Sequence, residues 1–295
     1  MLIVCVFQAF CGGAPGSTVT TTDPLILDLD GDGVSVINQA ASNVFFDMDA
    51  TGTVNHASWI HHTDAFLARD RNSNGKIDDA SELFSSTTDP ATQSGFEALA
   101  RFDDNQDGVI DGSDDVFETL LVWRDQNSDG HTQPGELLPI SSYNIAALPL
   151  TKIALTDSNL GGDLLFGGDA CTMSGDHQGP NVTFLFEVGL VTLTDPEYLQ
   201  GIDLPGGIRQ YFGKDASRLL VLETNTTVDF GVLQPRTIFG SPQDDYLDAS
   251  AASPVFIRAA GGDDTLIGGN RPDMLKGGKG TWRSAWISIS PFWLY

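Results

Sequence analysis

Two twelve-residue segments, DDNQDGVIDGSD (103–114) and DQNSDGHTQPGE (125–136), constrain this chain more than anything else in it. Each sets an oxygen-bearing side chain at positions 1, 3 and 5, a glycine at 6 and an acid at 12. That is the spacing of a loop wrapped around a hard cation, with the glycine making the sharp turn. In the first segment the residues are Asp103, Asn105, Asp107, Gly108 and Asp114, with Ile110 at the apolar eighth position and Asp111 at the ninth. In the second they are Asp125, Asn127, Asp129, Gly130 and Glu136, with Gln133 ninth and Thr132 where an apolar residue is expected.

The flanks read as short helices. Ser94 and Glu97 make a capping-box pattern, and Phe96, Leu99 and Ala100 give an apolar face leading into the first loop. Val116, Phe117, Leu120 and Leu121 recur at helical spacing before Trp123. Only ten residues separate the loops, too few for two ordinary helix-loop-helix units. The spacing predicts an EF-hand-like pair that shares its middle helix.

Three weaker loops come earlier. One offers Asp70, Asn72, Asn74, Gly75 and Asp78, but its acid, Glu82, falls at position 13. Another offers Asp47, Asp49, Thr51, Gly52 and Asn55, and a third Asp28, Asp30 and Asp32, with Gln39 where the last acid should stand. Each alone fits an Asx turn as well as a calcium site. Together they predict a calcium-dependent fold.

Composition agrees. The chain has 33 Asp against 7 Glu and a formal net charge of −25. Phosphates would repel it, which argues against nucleic acid or an anionic membrane surface as a partner. Short Asp, not Glu, suits the early positions of a tight loop. Cys5, Cys11 and Cys171 have no metal-ligand spacing and give no disulfide framework. No apolar stretch is long enough to span a membrane. The start, MLIVCVFQAFCGGA, lacks a basic n-region and reads as a mis-set start or a poor signal peptide, the first being preferred.

From about Leu138 to Tyr198 short β-prone runs alternate with Gly, Asp and Asn, the texture of an antiparallel sheet. Nonapeptides of the GGxGxDxUx type follow: AAGGDDTLI (259–267) and GGNRPDMLK (268–276) keep phase, with Asp264 and Asp273 at the metal-binding sixth position. GSPQDDYLD (240–248) is a degenerate copy. The organisation expected is a leader (1–22), a calcium-dependent module (23–196), a linker or β-rich connector (197–239), nonapeptide repeats (240–280) and an off-pattern tail (281–295). The fold class expected is α+β: calcium loops with short helices and strands, then a short parallel β-roll.

In this order, DPLILDLDGDGV, FLARDRNSNGKIDDASELF, GFEALARFDDNQDGVID and VWRDQNSDGHTQPGEL resemble the self-processing module of FrpC-like iron-regulated RTX proteins. The resemblance is good from Asp23 to Leu150 and loose from Thr151 to Pro196. It implies calcium-triggered cleavage of an Asp-Pro bond, here Asp23–Pro24, in a protein secreted by a type I route. It also implies that the new terminal Asp can join a lysine ε-amine of another protein or another copy. Processing in that family depends on acids that fall here on Asp103, Asp114, Asp125 and Glu136. The Asp47 loop departs from the pattern, with Ala50 and Thr51 where the family reads Gly-Asp.

The chemistry stands without the family. An Asp carboxylate can attack its own carbonyl carbon, closing a five-membered anhydride and expelling the next nitrogen. Proline helps because its nitrogen leaves as a secondary amine and its ring holds the preceding residue extended. Asp89–Pro90 and Asp195–Pro196 also occur, so the dipeptide alone carries little. Asp28 lies about 16 Å from Asp23 if the chain between is extended. Calcium is therefore expected to order the module rather than to polarise the bond. His61–His62 read as a loop pair. The competing functions are a passive calcium-binding adhesion protein and a dockerin-like docking module, and the latter is disfavoured by two unlike loops.

Overall fold

The computed structural model describes residues 19–89, 91–153, 159–160, 163–170, 172–173, 184–199, 201–213, 217–226, 228, 230–251, 255–268, 273–277, 280–281 and 283–286. The chain divides into two compact units, Met1–Pro196 and Glu197–Tyr295.

The first unit is organised by strands. Leu25–Asp28 (β2) lies between Ala65–Ala68 and the long strand Phe184–Leu199, antiparallel to both. Leu121–Trp123 and Leu137–Pro139 extend the sheet on one side, and Asp163–Ala170 and Lys152–Ile153 on the other. Alternation sorts the side chains onto two faces. Leu25, Leu27, Ala65, Leu67 and Val122 join an apolar cluster with Phe96, Leu99, Ile110 and Phe117. Ile26, Phe66, Ala68 and Trp123 face the other way, into a cluster with Phe46, Met48, Trp59 and Ile77. The sheet is thus buried on both faces, which explains why β2 reads as an unbroken apolar run.

The α+β class with EF-hand-like helices is overturned. The chain is mostly β, in largely antiparallel sheets, and the longest helix among the described residues is Gly95–Ala100 (α1), six residues. The expected middle helix shrinks to a 3-10 turn, Phe117–Thr119, and Leu121–Trp123 becomes a strand between Ala65–Ala68 and Leu137–Pro139. Four apolar residues in a six-residue segment are too few to fix a helical period; here an open sheet edge beside Leu121–Trp123 outweighs helix propensity. The cap was legible: Ser94 Oγ accepts from Glu97 N at 3.2 Å.

In the second unit Ile202–Leu204, Ile208–Phe212 and Arg218–Leu222 pair antiparallel, and the chain then changes regime. Thr237–Phe239, Phe256–Arg258 and Met274–Lys276 stack in parallel, and so do Tyr246–Asp248, Thr265–Gly268 and Arg283–Trp286. Neighbours in a stack are eighteen or nineteen residues apart, the pitch of two nonapeptides (Tyr246 faces Thr265, which faces Arg283). Arg283–Trp286 carries one stack past the last residue that fits the nonapeptide template. The residues before Val19 and after Trp286, and so most of the expected leader and tail, lie outside the described residues.

Candidate calcium loops and the Asp23–Pro24 bond

The two strong loops share one wiring. In the first, Asp103 Oδ2 accepts from Gly108 N at 2.9 Å and Oδ1 from Asp107 N at 3.2 Å. Its last acid, Asp114, accepts from Asp104 N at 2.8 Å and from Asp111 N at 2.9 Å, bridging loop positions 2 and 9. In the second, Asp125 accepts from Gly130 N at 2.7 Å, and Glu136 bridges Gln126 N and Gln133 N, both at 2.9 Å. Gly108 and Gly130 hold φ of +85° and +77°, the left-handed turn that the sixth position requires. Asn105 and Asn127 each donate to the acid two residues on, at 2.9 and 2.8 Å.

The Glu82 loop repeats the wiring despite its misplaced acid. Asp70 Oδ2 accepts from Gly75 N at 2.8 Å, and Glu82 bridges Arg71 N at 3.0 Å and Asp78 N at 2.9 Å. Those are again positions 2 and 9. The extra residue is absorbed by a 3-10 turn, Ala80–Glu82, capped by Asp79. The Asp47 loop has the opening half only: Asp47 accepts from Thr51 N at 3.0 Å and Gly52 N at 2.7 Å, and Asp49 from Thr51 Oγ1 at 2.8 Å.

Each carboxylate oxygen that accepts one N–H keeps a second lone pair. The donors these loops offer are oxygens only, without thiolate or imidazole, the set suited to calcium. Burial bears hardest on the second loop. Asp125 is fully enclosed, its Oδ2 also accepting from Trp59 Nε1 at 2.7 Å. Burial, with Asp129 alongside, pushes its carboxyl up to about 7.

The Asp23–Pro24 bond joins two strands that run on in one line. Val19–Thr22 (β1) and β2 pair with the long strand in one register: Thr22 faces Leu190, and three residues on Leu25 faces Glu187. Between them Val188 N donates to the Pro24 carbonyl at 3.2 Å. Proline has no N–H to give, so the ladder tolerates it here at the cost of one bond. Asp23 is half-buried, and its Oδ1 accepts from both Ser86 N, at 2.8 Å, and Ser86 Oγ. On the other side stands Gly95, the first residue of α1. A Cβ there would lie 2.5 Å from the Phe84 carbonyl oxygen, 2.9 Å from Leu25 Cγ and 3.0 Å from the carbonyl oxygen of Asp23. Only glycine lets the helix start this close to the strand. Its N–H donates to Glu187 Oε1 at 3.1 Å, a carboxylate that is itself buried.

Comparison with known proteins gives the family. The SPM domain profile matches residues 25–184, more than half of the chain, beginning one residue after Pro24. The chain belongs to the SPM domain family. Over 133 residues it is 41% identical to the iron-regulated protein FrpA of Neisseria meningitidis serogroup C. That match covers 43% of this chain but 12% of the relative, so it concerns one segment of a much longer protein.

In this SPM-domain chain the sequence reading found the loops and missed what holds the bond. Ser86, Gly95 and Glu187 lie 63, 72 and 164 residues from Asp23 along the chain, and none stands at a position of the calcium-loop template. Gly95 alone left a trace, as a glycine at the first position of a capped helix. The third early loop is also altered: Asp28 and Asp30 converge with Asp64, which the spacing did not suggest, while Asp32 is exposed. His61 and His62 lie in the turn before Ala65–Ala68, rings 4.0 Å apart, with His61 Nδ1 3.2 Å from Thr63 Oγ1. Asp89 is paired with Arg101 and Pro90 lies outside the described residues; Asp195–Pro196 lies within the long strand. In the second unit Asp264 Oδ1 accepts from Asp245 N and Asp273 Oδ1 from Val255 N, both at 3.0 Å. No described helix is long and apolar enough to cross a membrane.

Proposed function

We propose that this chain is a calcium-triggered self-cleaving module of a secreted RTX-type protein, and that it breaks the Asp23–Pro24 bond. The observation that carries the reading is the setting of that bond. Ser86, which holds the Asp23 carboxylate, follows Glu82 by four residues, and Gly95, against the Asp23 carbonyl, precedes Asp103 by eight. Two calcium loops therefore end or begin within a few residues of the two groups that frame the bond.

With Oδ1 fixed by Ser86, Oδ2 of Asp23 is the nucleophile. It attacks the Asp23 carbonyl carbon: a C–O bond forms, the C–N bond to Pro24 breaks, and the proline nitrogen takes a proton from solvent and leaves. Water then opens the anhydride to two carboxyl groups. A deprotonated lysine amine in water's place would give an isopeptide instead. Attack within one residue reaches an effective molarity of roughly 10⁵–10⁸ M when oriented, so holding the geometry supplies much of the barrier reduction. Gly95 leaves space for the carbonyl oxygen to move as the carbon becomes tetrahedral.

Bound calcium would supply order here. Asp70–Glu82, Asp103–Asp114 and Asp125–Glu136 would hold it, with Asp47 and Asp49 giving a weaker half-site. Without it, the acids of a chain charged −25 repel one another, and the Ser86 turn and α1 lose their anchors.

The test is purified protein in millimolar calcium or chelator, weighed by mass spectrometry. Calcium should give a chain beginning at Pro24, and Asp23→Asn should give none. A calcium-loaded, folded protein that keeps its full mass would instead be the passive calcium-binding protein.

A further inference from the structure

We infer that Asp28, Asp30 and Asp64 form a separate calcium site, in which Asp64 supplies across the sheet the acid that the Asp28–Asp32 loop lacks in its own sequence. One carboxylate oxygen from each lies within 4.8 Å of the others. Two oxygens on opposite sides of a calcium ion are about 5 Å apart, so these three can share one.

Strand register imposes the meeting. Leu27 faces Ala65 across the ladder, which sets the next pair outward, Asp28 and Asp64, side by side. Like charges directly opposed on neighbouring strands weaken the pairing. Here both are also enclosed, Asp28 at 2% exposure and Asp64 at 0%. A buried acid without a counter-charge destabilises a fold that offers nothing in return.

The hydrogen bonds present do not resolve this. Asp28 accepts from Gly31 N at 2.8 Å and Gly33 N at 3.0 Å, and Asp64 Oδ2 accepts from Ser35 N at 2.9 Å. Asp64 Oδ1 is enclosed and has no hydrogen-bond partner. A buried carboxylate oxygen with no donor, beside two further carboxylates, is what an oxygen-liganded cation satisfies. Asp30 is exposed and gives the ion a way in. Once bound, the ion would tie the downstream end of β2, the strand that continues from Pro24, to the start of Ala65–Ala68.

The inference shares with the proposed function the premise that the chain binds calcium, so the experiment reads metal and not cleavage. The full chain is titrated with calcium alone by calorimetry, and melted in calcium and in chelator. Asp64→Asn should lose one bound calcium per chain. It should also melt higher than the parent in chelator, because it removes an uncompensated buried acid, and gain less on adding calcium. Asp30→Asn, on an exposed side chain, should weaken the same site at least about tenfold without touching the metal-free fold. Asp32→Asn should change neither. An unchanged calcium count in both Asp64→Asn and Asp30→Asn, with the other loops still binding, would overturn this site alone. A parent chain that binds no calcium would overturn it together with the proposed function.

Discussion

Acidic side chains are wired differently in the two units. In the first, the acid that ends a loop turns back on it: Asp114, Glu136 and Glu82 each close the segment that contains them. In the second, an acid reaches to another rung. Asp264 accepts from Asp245 N, Asp244 Oδ1 from Asp263 N at 2.7 Å, and Asp263 Oδ1 from Thr281 N at 2.9 Å. Carboxylates thus close discrete loops in one place and link rungs of a stack in the other. A lost acid should have a local, severe effect in the first case and a graded one in the second.

The largest contrast is expected between Asp125→Ala and Asp264→Ala. Removing Asp125 strands Gly130 N, Trp59 Nε1 and Asp129 N, and cuts a loop whose acid is fully enclosed. Cleavage at Pro24, followed by mass spectrometry over time in calcium, should fall at least about 100-fold, consistent with loss of a metal ligand and its shell. Asp264→Ala should leave the rate within about twofold while lowering the melting of the second unit. Equal losses of cleavage would break the comparison.

Glu82→Ala comes next. If Glu82 does what Glu136 does, its loss should slow calcium-triggered cleavage about 10–100-fold. Its loop ends four residues before Ser86, so the defect should be offset in part by higher calcium. A Glu82→Ala protein that cleaves at the parent rate would mean that position 13 is a structural cap and no more.

Glu82 also marks how far the sequence could be read. The template specifies which residue types stand at which step, because the turn itself is local; hence the hydrogen-bonded turns of Asp103–Asp114 and Asp125–Glu136 were legible, position by position. It cannot see a 3-10 turn that takes up one residue, nor a carboxylate brought in by strand register, as Asp64 is. The helices failed for a related reason. Val116–Leu121 has a helical apolar spacing, yet its helix stops at one 3-10 turn and Leu121 enters a strand against Ala65–Ala68, some fifty residues earlier. Ser86 meets Asp23 from the turn after Leu83, Gly95 from the start of α1, and Glu187 from the long strand by way of Gly95 N. Local wiring could be read, but contacts set by register could not.

Gly262→Ala should have a smaller effect, confined to the second unit. Gly262 has φ of +101°, and a Cβ there would lie 2.5 Å from the Gln243 carbonyl carbon, in the backbone of the previous rung. Neither the strain nor the clash can relax into a side chain. A loss of about 1–3 kcal/mol is expected, read as a lower melting temperature for the second unit alone. Gly108→Ala, at φ +85° but with open space around it, should cost less in the metal-free protein. If the two substitutions prove equal, the tight stacking of rungs is not what fixes glycine at 262.

The smallest effect expected is on pH, and its sign separates metal-free from metal-loaded protein. Burial above all raises Asp47 to about 6, and Asp64 and Asp125 to about 7, from an ordinary value of 3.8. A carboxyl with a folded pKa above its unfolded one favours the folded state at low pH, where the folded chain keeps its proton more readily. That advantage fades as pH rises from about 4 through the folded value. In chelator the first unit should therefore melt on the order of a few degrees lower at pH 8 than at pH 5. In the second unit Asp245 is raised to about 6, again chiefly by burial, so the fall there should be smaller and complete by about pH 7. Calcium should reverse the slope in the first unit, because ligating carboxylates must be ionised and binding strengthens as protons leave. Melting curves at pH 5, 6, 7 and 8, with calcium and with chelator, would show the two slopes crossing. Parallel slopes would mean that the raised acids are not among the ligands, and would leave the closed loops as a hydrogen-bonding device only.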